Sequence, residues 1–324
     1  MPELLEHCPV CGQNGSLPFL EVKDYTVSEE LFQLVKCPAC DFVYTNPRPE
    51  AHSIGKYYKS SDYISHTNSG KGLMNSLYQI ARKRAIRTKL DFISTLNPTP
   101  RTLLDYGCGT GEFLAGAKAE GWVCAGLEPD DDARKLAIEN HSLNVDRPEH
   151  LKELPSGQFG AITLWHVLEH VHQLKETVDQ LKRCLSSKGV LVIAVPNRTA
   201  YEAEIYGPHW AAYDVPRHLY HFSRKPMLQL MANAGFECHS IQPLFFDPFY
   251  ISLLSGGYKN GSKNFISAMW YGMQTTIKGK KISIKIRHCF MFLRRSRGAL
   301  QCAPTRKLIW VQIISSIGII TFIV

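Results

Sequence analysis

Short apolar runs and amphipathic stretches alternate along the chain between residues 101 and 245. The apolar runs predict buried strands, and the stretches whose apolar residues recur every three or four positions predict helices. The predicted strands are Thr102–Tyr106, Val123–Leu127, Ala161–His166, Val190–Val195 and Glu237–Leu244. The predicted helices are Glu112–Glu120, Asp131–Asn140, Gln173–Leu185 and Lys225–Ala234. This alternation predicts βαβ units, and therefore an α/β fold with a doubly wound parallel sheet.

Composition divides the chain into four regions. Residues 1–45 contain two Cys-x-x-Cys pairs and predict a small zinc-ribbon module. Residues 46–100 are polar before a segment with helical spacing, which predicts a helical linker or lid. Residues 101–247 form the predicted core, with an insertion at residues 198–222. Residues 248–324 form a basic region without Asp or Glu.

A glycine-rich loop follows the first predicted strand of the core. From Asp105 the chain reads Asp-Tyr-Gly-Cys-Gly-Thr-Gly, with Gly107, Gly109 and Gly111 just before a predicted helix. Glycines there permit a tight turn close to a ligand, and the N–H groups of the helix start point toward it. Glu128 ends the next predicted strand, where a carboxylate can accept hydrogen bonds from both ribose hydroxyls. The pattern predicts a nucleoside site, and its glycine spacing differs from that of a dinucleotide-binding loop.

This loop resembles the first motif of class I S-adenosylmethionine-dependent methyltransferases. The resemblance spans about residues 100–245 and implies a Rossmann-like fold with S-adenosylmethionine as the cofactor. It also implies that Asp105 and Gly107 face the cationic methionine end of the cofactor, while Glu128 holds the ribose.

The segment from Trp165 reads Trp-His-Val-Leu-Glu-His-Val and closes the third predicted strand of the core. It is similar to a segment ending in Leu-Glu-His-Val in the ubiquinone-biosynthesis O-methyltransferases. The resemblance implies that Trp165 and His166 border the cofactor and that His166 and His170 are candidate catalytic residues. Some members hold a metal there through two glutamates and a histidine, and His166 stands at the position of the first glutamate. A metal at Glu169 and His170 and a purely hydrogen-bonding role for the pair both stay open.

The insertion at residues 198–222 is dense in aromatic and imidazole side chains, and long loops at strand ends commonly carry function. Histidine is the usual base near neutral pH. The segment from Tyr213 to Ser223 resembles one in zinc-containing sugar C-methyltransferases, which implies that His218 is the catalytic base. Arg217 replaces the glutamate of that family, and a guanidinium suits an anionic group of the substrate. The alternative is that these side chains only pack a lid.

Two cysteine pairs, Cys8 with Cys11 and Cys37 with Cys40, are separated by 25 residues. Four thiolates at this spacing can enclose a tetrahedral Zn²⁺ with no open position, so we expect a structural metal site. The N-terminal residues show no basic stretch followed by an apolar run, which favours a cytoplasmic protein with reduced thiols. The sugar C-methyltransferases and some ribosomal-RNA methyltransferases carry a similar zinc module.

Charge is spread unevenly along the 324 residues. All 29 acidic residues lie at or before Asp247, so residues 1–247 carry a net charge of −4 and the remainder carries +12. An acidic body argues against broad nucleic-acid binding, because neutralising phosphates needs a positive surface. DNA is therefore not expected as a partner, and RNA is expected only in one alternative below.

Residues 308–324 contain no charged side chain and follow Arg306 and Lys307. As a helix they would span about 25 Å, short of a bilayer core of about 30 Å. Their many β-branched residues favour a strand instead. A final strand of the sheet, a membrane anchor that would associate the protein with a membrane surface, and a segment outside the fold are the three interpretations.

Together these features predict an S-adenosylmethionine-dependent methyltransferase that acts on a small molecule such as a sugar, a glycan or a quinone precursor. One alternative is an RNA methyltransferase that grips RNA with the zinc module and the basic tail. Another is a non-catalytic zinc-ribbon scaffold whose core only senses the cofactor.

Overall fold

The computed structural model describes residues 2–58, 73–243, 247–261 and 288–295. The strands, numbered in chain order, are β1 (Leu17–Lys23), β2 (Leu31–Lys36), β3 (Val43–Thr45), β4 (Thr102–Tyr106), β5 (Val123–Leu127), β6 (Asn144–Asp146), β7 (Phe159–Trp165), β8 (Leu185–Pro196), β9 (Tyr220–His221), β10 (Phe236–Pro243) and β11 (His288–Arg295). The α-helices of the described residues are α1 (Leu73–Thr95), α2 (Glu112–Ala119), α3 (Asp131–His141), α4 (Leu174–Cys184), α5 (Tyr201–Tyr206), α6 (Arg224–Asn233) and α7 (Asp247–Asn260).

Seven strands form the central sheet in the order β10-β11-β8-β7-β4-β5-β6. The five strands from β8 to β6 pair in parallel, and β11 lies antiparallel between β8 and β10. The chain moves outward from β4 to β6 and then returns to β7 on the other side of β4. Ligands bind at such a reversal, in the crevice at the carboxyl ends of the strands. This topology confirms the predicted α/β, Rossmann-like doubly wound fold.

Strands β4 and β5 have the bounds that the sequence predicts. Strand β8 is longer than predicted, because Leu185 already has an extended backbone (φ −75°, ψ 136°) directly after α4. The predicted helix over Gln173–Leu185 therefore ends one residue earlier, at Cys184.

The core lies on both faces of the sheet. Leu104, Ile162 and Ile193 belong to one buried cluster, whereas their chain neighbours Leu103 and Ala161 belong to another. Successive side chains of a strand point to opposite faces, so each cluster fills one face. Helices α4 and α6 cover the first face, and α1, α2 and α3 cover the second. Each fully buried Leu or Ile contributes about 1.5–3 kcal/mol.

A second, antiparallel sheet has the order β1-β2-β3-β9. Its first three strands come from the N-terminal region, and β9 comes from the insertion. The sequence does not predict this joining, because the paired residues Tyr44 and Tyr220 are far apart along the chain. The N-terminal module is thus packed against the insertion through backbone hydrogen bonds.

The acid-free region contains the last described strand, β11, which lies upstream of the segment to which the sequence analysis assigns a final strand. Residues 308–324 lie outside the described residues, so their three interpretations stay predictions. Within the part of the chain that the structure describes, we find no helix with both the length and the apolar character needed to cross a bilayer.

Candidate active site

The glycine loop lies between β4 and α2, at the reversal of the sheet. Gly107 and Gly111 have φ values of +77° and +85°, which side chains with a Cβ rarely adopt. A Cβ on Gly107 would overlap the side chain of Val167, and one on Gly111 would lie 2.6 Å from Leu143 Cδ1. Both positions therefore require glycine for the backbone angle and for the space.

Glu128 lies directly beneath this loop and is 8% exposed. Its carboxylate accepts hydrogen bonds from the backbone N–H of Gly109 (2.8 Å) and of Asp130 (3.0 Å). Burial raises the pKa of Glu128, although these two N–H groups and Arg134 oppose the shift. Each carboxylate oxygen can accept more than one hydrogen bond, so the group keeps acceptor capacity for a ribose diol. The structure thus brings together the loop and the acid that the sequence assigns to the cofactor.

Asp105 ends up buried at the carboxyl end of β4, where its Oδ1 accepts a hydrogen bond from Thr163 Oγ1 (2.6 Å). Burial raises the pKa of Asp105 to about 7, with Thr163 and Lys89 opposing the shift. Near neutral pH, a cation placed beside a carboxyl group with this pKa shifts the group toward its ionised form. This is the chemistry expected at the sulfonium and ammonium end of the cofactor.

Trp165 lies at the end of the neighbouring strand β7. The Lys89 ammonium of α1 lies 3.9 Å from the centre of its ring, and the Phe113 ring meets it edge-on at 5.4 Å. Helix α1, which precedes the core in sequence, therefore covers one side of the site at the carboxyl ends of β4 and β7. The sequence analysis does not identify Lys89, since nothing in the pattern of a long amphipathic helix indicates which cation turns inward.

The turn after β7 contains His166, whose φ of +58° is uncommon for a residue with a side chain, and a 3₁₀ turn over Leu168–His170. Glu169 is fully buried there, with an oxygen 3.6 Å from His166 Nδ1. Within the described residues, neither of its carboxylate oxygens has a hydrogen-bond partner. Burial by itself would raise the pKa of Glu169, but the surrounding imidazoles lower it overall.

His170 and His218 meet edge-to-face beside Glu169, with ring centres 4.6 Å apart. His170 Nδ1 lies 2.9 Å from the Arg217 carbonyl oxygen, and His218 Nδ1 lies 3.0 Å from the Ala212 carbonyl oxygen. Carbonyls only accept, so Nδ1 carries the hydrogen and Nε2 of each neutral ring carries a lone pair. Burial lowers the pKa of His170 to about 4, which keeps this ring neutral at pH 7.

Two of the three candidate catalytic histidines therefore share one buried cluster with Glu169, and the third, His166, has its Nδ1 3.6 Å from the same carboxylate. One ligand atom from each of Glu169, His170 and His218 lies within 4.8 Å of the others. Such a set of electron-pair donors suits a proton or a divalent cation.

Arg217, which stands beside His218 in the insertion, forms ion pairs with two carboxylates. Its guanidinium is buried and donates to Asp214 (2.7 Å), to Asp24 (3.0 Å) and to the Tyr57 carbonyl oxygen (2.8 Å), and it also contacts Thr26. Burial disfavours its charge, but the two carboxylates outweigh this effect and raise the pKa of Arg217. The guanidinium of Arg217 is thus engaged within the protein, mainly by these two carboxylates.

Comparisons with known proteins agree with this geometry. A family model described as "Methyltransferase domain" matches residues 78–241, half of the chain. The chain belongs to the class I S-adenosylmethionine-dependent methyltransferases. It is 28% identical over 165 residues to the ubiquinone biosynthesis O-methyltransferase of Glaesserella parasuis, and this match covers 46% of this chain and 70% of the relative. It is 30% identical over 187 residues to that of Nitrosococcus oceani, covering 53% and 76%.

Among solved structures, the 4+2 cyclase SpnF superposes on this methyltransferase with a TM-score of 0.50 at 16% identity. The match covers 78% of this chain and 99% of the cyclase. At this level of identity the similarity shows a shared fold alone.

The methyltransferase also carries the four-cysteine cluster at its N-terminus. The Sγ atoms of Cys8 and Cys40 lie 3.5 Å apart, as do those of Cys11 and Cys37, and all four lie within 4.8 Å of one another. Four sulfurs around Zn²⁺ at about 2.3 Å form a tetrahedron with edges of about 3.8 Å, so the spacing fits this ion.

The two cysteine loops of the methyltransferase have the same backbone hydrogen bonds. The carbonyl of Cys8 accepts from Gly12 N (2.9 Å), and that of Cys37 accepts from Asp41 N (3.1 Å). Gly12 and Asp41 both have positive φ, at +75° and +67°. Matching loops of this kind direct both pairs of thiols to a common centre.

Sequence reasoning missed two residues that hold the predicted site together. Thr163 bonds Asp105, and it could have been found as the single hydroxyl in an otherwise apolar strand. Thr45 bonds the backbone of His218 from the N-terminal sheet, and its position in the sequence gives no signal of that contact.

Proposed function

We propose that this methyltransferase acts on a sugar, a glycan precursor or a quinone precursor, with His218 as the general base. Its relatives are ubiquinone biosynthesis O-methyltransferases, which supports action on a small molecule. The observation that carries the base assignment is the hydrogen bond between His218 Nδ1 and the Ala212 carbonyl oxygen (3.0 Å). In the neutral ring this bond leaves a lone pair on Nε2, which lies 3.9 Å from Asp214 Oδ2 and to which an acceptor hydroxyl could present its proton.

The cofactor supplies an electrophilic methyl group, so the chain has to align the acceptor and remove its proton. Glu128 and the glycine loop would hold the nucleoside, and Asp105 would balance the positive charge at the methionine end. His218 would take the hydroxyl proton at Nε2, while its Nδ1–H keeps the ring in place. Glu169, fully buried beside the imidazoles, would stabilise the resulting imidazolium.

We further propose that Cys8, Cys11, Cys37 and Cys40 hold a structural Zn²⁺. Four thiolates would complete its tetrahedral shell and leave no position for a substrate. The segment is too short to build a core of its own, so the ion would supply much of its stability. Reduced thiols are retained in the cytoplasm, which supports the proposal of a cytoplasmic protein.

The test is transfer of a labelled methyl group from S-adenosylmethionine to a panel of sugar nucleotides and catechol acids. His218→Gln should lower kcat at least roughly 100-fold, because a positioned base contributes about 10² to 10⁴ in rate. The affinity for S-adenosylhomocysteine should stay unchanged. His239→Gln, an exposed histidine on β10, is the matched control. Full activity of His218→Gln would refute the base assignment.

The two alternatives make different predictions in the same assay. An RNA methyltransferase would bind RNA with an affinity that falls steeply as salt is raised. A scaffold that only senses the cofactor would bind S-adenosylhomocysteine but label no compound of the panel or of a metabolite extract.

A further inference from the structure

The peptide segment that carries His218 is held between the core and the N-terminal sheet. The Leu219 N–H donates to the Glu169 carbonyl oxygen (2.8 Å), on the core side. The Leu219 carbonyl oxygen accepts from Thr45 N (3.0 Å), on the side of β3. Two residues later, the pairing of Val43 with His221 continues the contact as the strand pair β3–β9.

The side chain of Thr45 reaches His218 itself. Thr45 is fully buried, and its Oγ1 donates a hydrogen bond to the His218 carbonyl oxygen (2.9 Å). Thr45 Oγ1 also lies 3.1 Å from His221 Nε2. Because the threonine proton is used on the carbonyl, the threonine oxygen accepts from the imidazole, and His221 carries its hydrogen on Nε2. One hydroxyl thus fixes a peptide group and the tautomer of a neighbouring ring.

With Thr45 in place, three polar groups of His218 have partners. Its N–H donates to the Asp214 carbonyl oxygen (2.9 Å), its carbonyl accepts from Thr45, and its Nδ1–H donates to the Ala212 carbonyl oxygen (3.0 Å). The first and third partners belong to the insertion, which also contains His218. Of the three partners, Thr45 is the one that lies outside the insertion, on β3.

We propose that Thr45, at the end of the N-terminal cysteine module (residues 1–45), is a positioning residue for His218. It holds the His218 ring in the orientation needed to accept a proton at Nε2. This inference rests on the proposed function of His218. It gives the cysteine module a task in the reaction: the second cysteine pair ends at Cys40, and the chain runs from it directly into β3 and Thr45. The module would then act on the part of the site around His218, where the acceptor would bind, through strand pairing and one hydroxyl.

The test is NMR spectroscopy of the full chain labelled with ¹⁵N-histidine, which reports the tautomer of each ring without needing an acceptor. In the unmodified protein we expect His218 as a single Nδ1–H tautomer and His221 as Nε2–H. Thr45→Val keeps the shape of the side chain and removes its hydroxyl, and we expect loss of both single-tautomer patterns. Thr45→Ser restores the hydroxyl and should restore both patterns.

Thr102→Val is the matched control. The Thr102 hydroxyl likewise donates to a carbonyl (Gln158, 2.7 Å) and accepts from an N–H (Gly160, 3.0 Å), but at the amino end of β4. This variant should leave both rings unchanged. Metal content and affinity for S-adenosylhomocysteine, measured on every variant, show that the module and the core remain folded.

An unchanged His218 tautomer in Thr45→Val, or the same change in Thr102→Val, would overturn the proposal. If Thr45→Val loses its metal, Thr45→Ser is compared with Thr45→Ala instead. The supporting result is then a single His218 tautomer in the serine variant but not in the alanine variant. Failure of the proposed function is a separate outcome, since it shows as activity in His218→Gln whatever the spectra of the Thr45 variants.

Discussion

The proposed cofactor side of this site, formed by the glycine loop and Glu128, and its proposed acceptor side, around His218, are built in different ways. The loop from Asp105 to Gly111 and Glu128 come from one βαβ unit, and their contacts span about twenty residues of chain, as between Gly109 and Glu128. On the acceptor side, Arg217 bonds Asp24 across 193 positions, and Thr45 bonds His218 across 173. A local arrangement leaves its pattern in the sequence, whereas an arrangement assembled from distant segments does not.

This difference predicts that cofactor binding and the chemistry at His218 can be disturbed independently of each other. The cofactor side depends on backbone angles and on two carboxylates within the core, Asp105 and Glu128, while the acceptor side depends on an additional sheet and on the cysteine module. Substitutions should therefore separate cofactor affinity from events at His218. The predictions that follow run from the largest expected effect on cofactor affinity to the smallest.

Gly107→Val should lower the affinity for S-adenosylhomocysteine at least roughly 100-fold, because the new Cβ meets Val167 and the φ of +77° is strained for valine. Isothermal titration calorimetry measures the effect. Gly157→Val is the matched control: its φ is +70°, yet a Cβ there meets nothing within 4 Å. Equal affinity in Gly107→Val and in the unmodified protein would contradict the assignment of the loop.

Glu128→Gln should lower the same affinity about 10- to 100-fold. The amide places N–H donors where the carboxylate accepts from Gly109 N and Asp130 N, and hydrogen bonds to charged groups contribute about 1.5–3 kcal/mol. Glu139→Gln, on the exposed face of α3, serves as the control. Unaltered binding by the Glu128 variant would remove the proposed ribose ligand.

The affinity for S-adenosylmethionine should rise with pH through about 7, by at most about tenfold per pH unit. The pKa of Asp105 is raised to about 7 by burial, and a cationic ligand favours the ionised carboxylate, so binding releases a proton. Calorimetry in two buffers of different ionisation enthalpy counts that proton. Asp105→Asn should bind more weakly and without this proton release; the same release in the variant would show that another group is responsible.

Cys37→Ser should change the affinity for S-adenosylhomocysteine less than about threefold while it abolishes metal binding and labelling of the acceptor. The cysteine module contacts the insertion through β9 and does not contribute the loop or Glu128. Metal analysis, calorimetry and the labelling assay on one preparation test this, with Cys238→Ser, outside the cluster, as the control. A parallel loss of cofactor affinity would show that the two sides are not independent.

The sequence predicts much of the fold because β4 and β5 are apolar runs bounded by turn residues, and such boundaries are local. It also predicts a set of residues for the cofactor side, since the positive φ values of Gly107 and Gly111 are a requirement of the loop itself. The role of Arg217 is not predictable in this way. Its partners, Asp24 and Asp214, are brought to it by the joined sheet, and no local pattern distinguishes a buried ion pair from a guanidinium that faces a substrate.

Strand β11 has a consequence for the synthesis of this protein. It covers the edge of β8 from Leu191 to Pro196 and pairs on its other side with β10. A ribosome must therefore release the chain beyond Arg295 before these two edges can close. A nascent or prematurely terminated chain can already contain the complete cofactor loop and still expose two open strand edges, and unpaired edges of this kind favour aggregation.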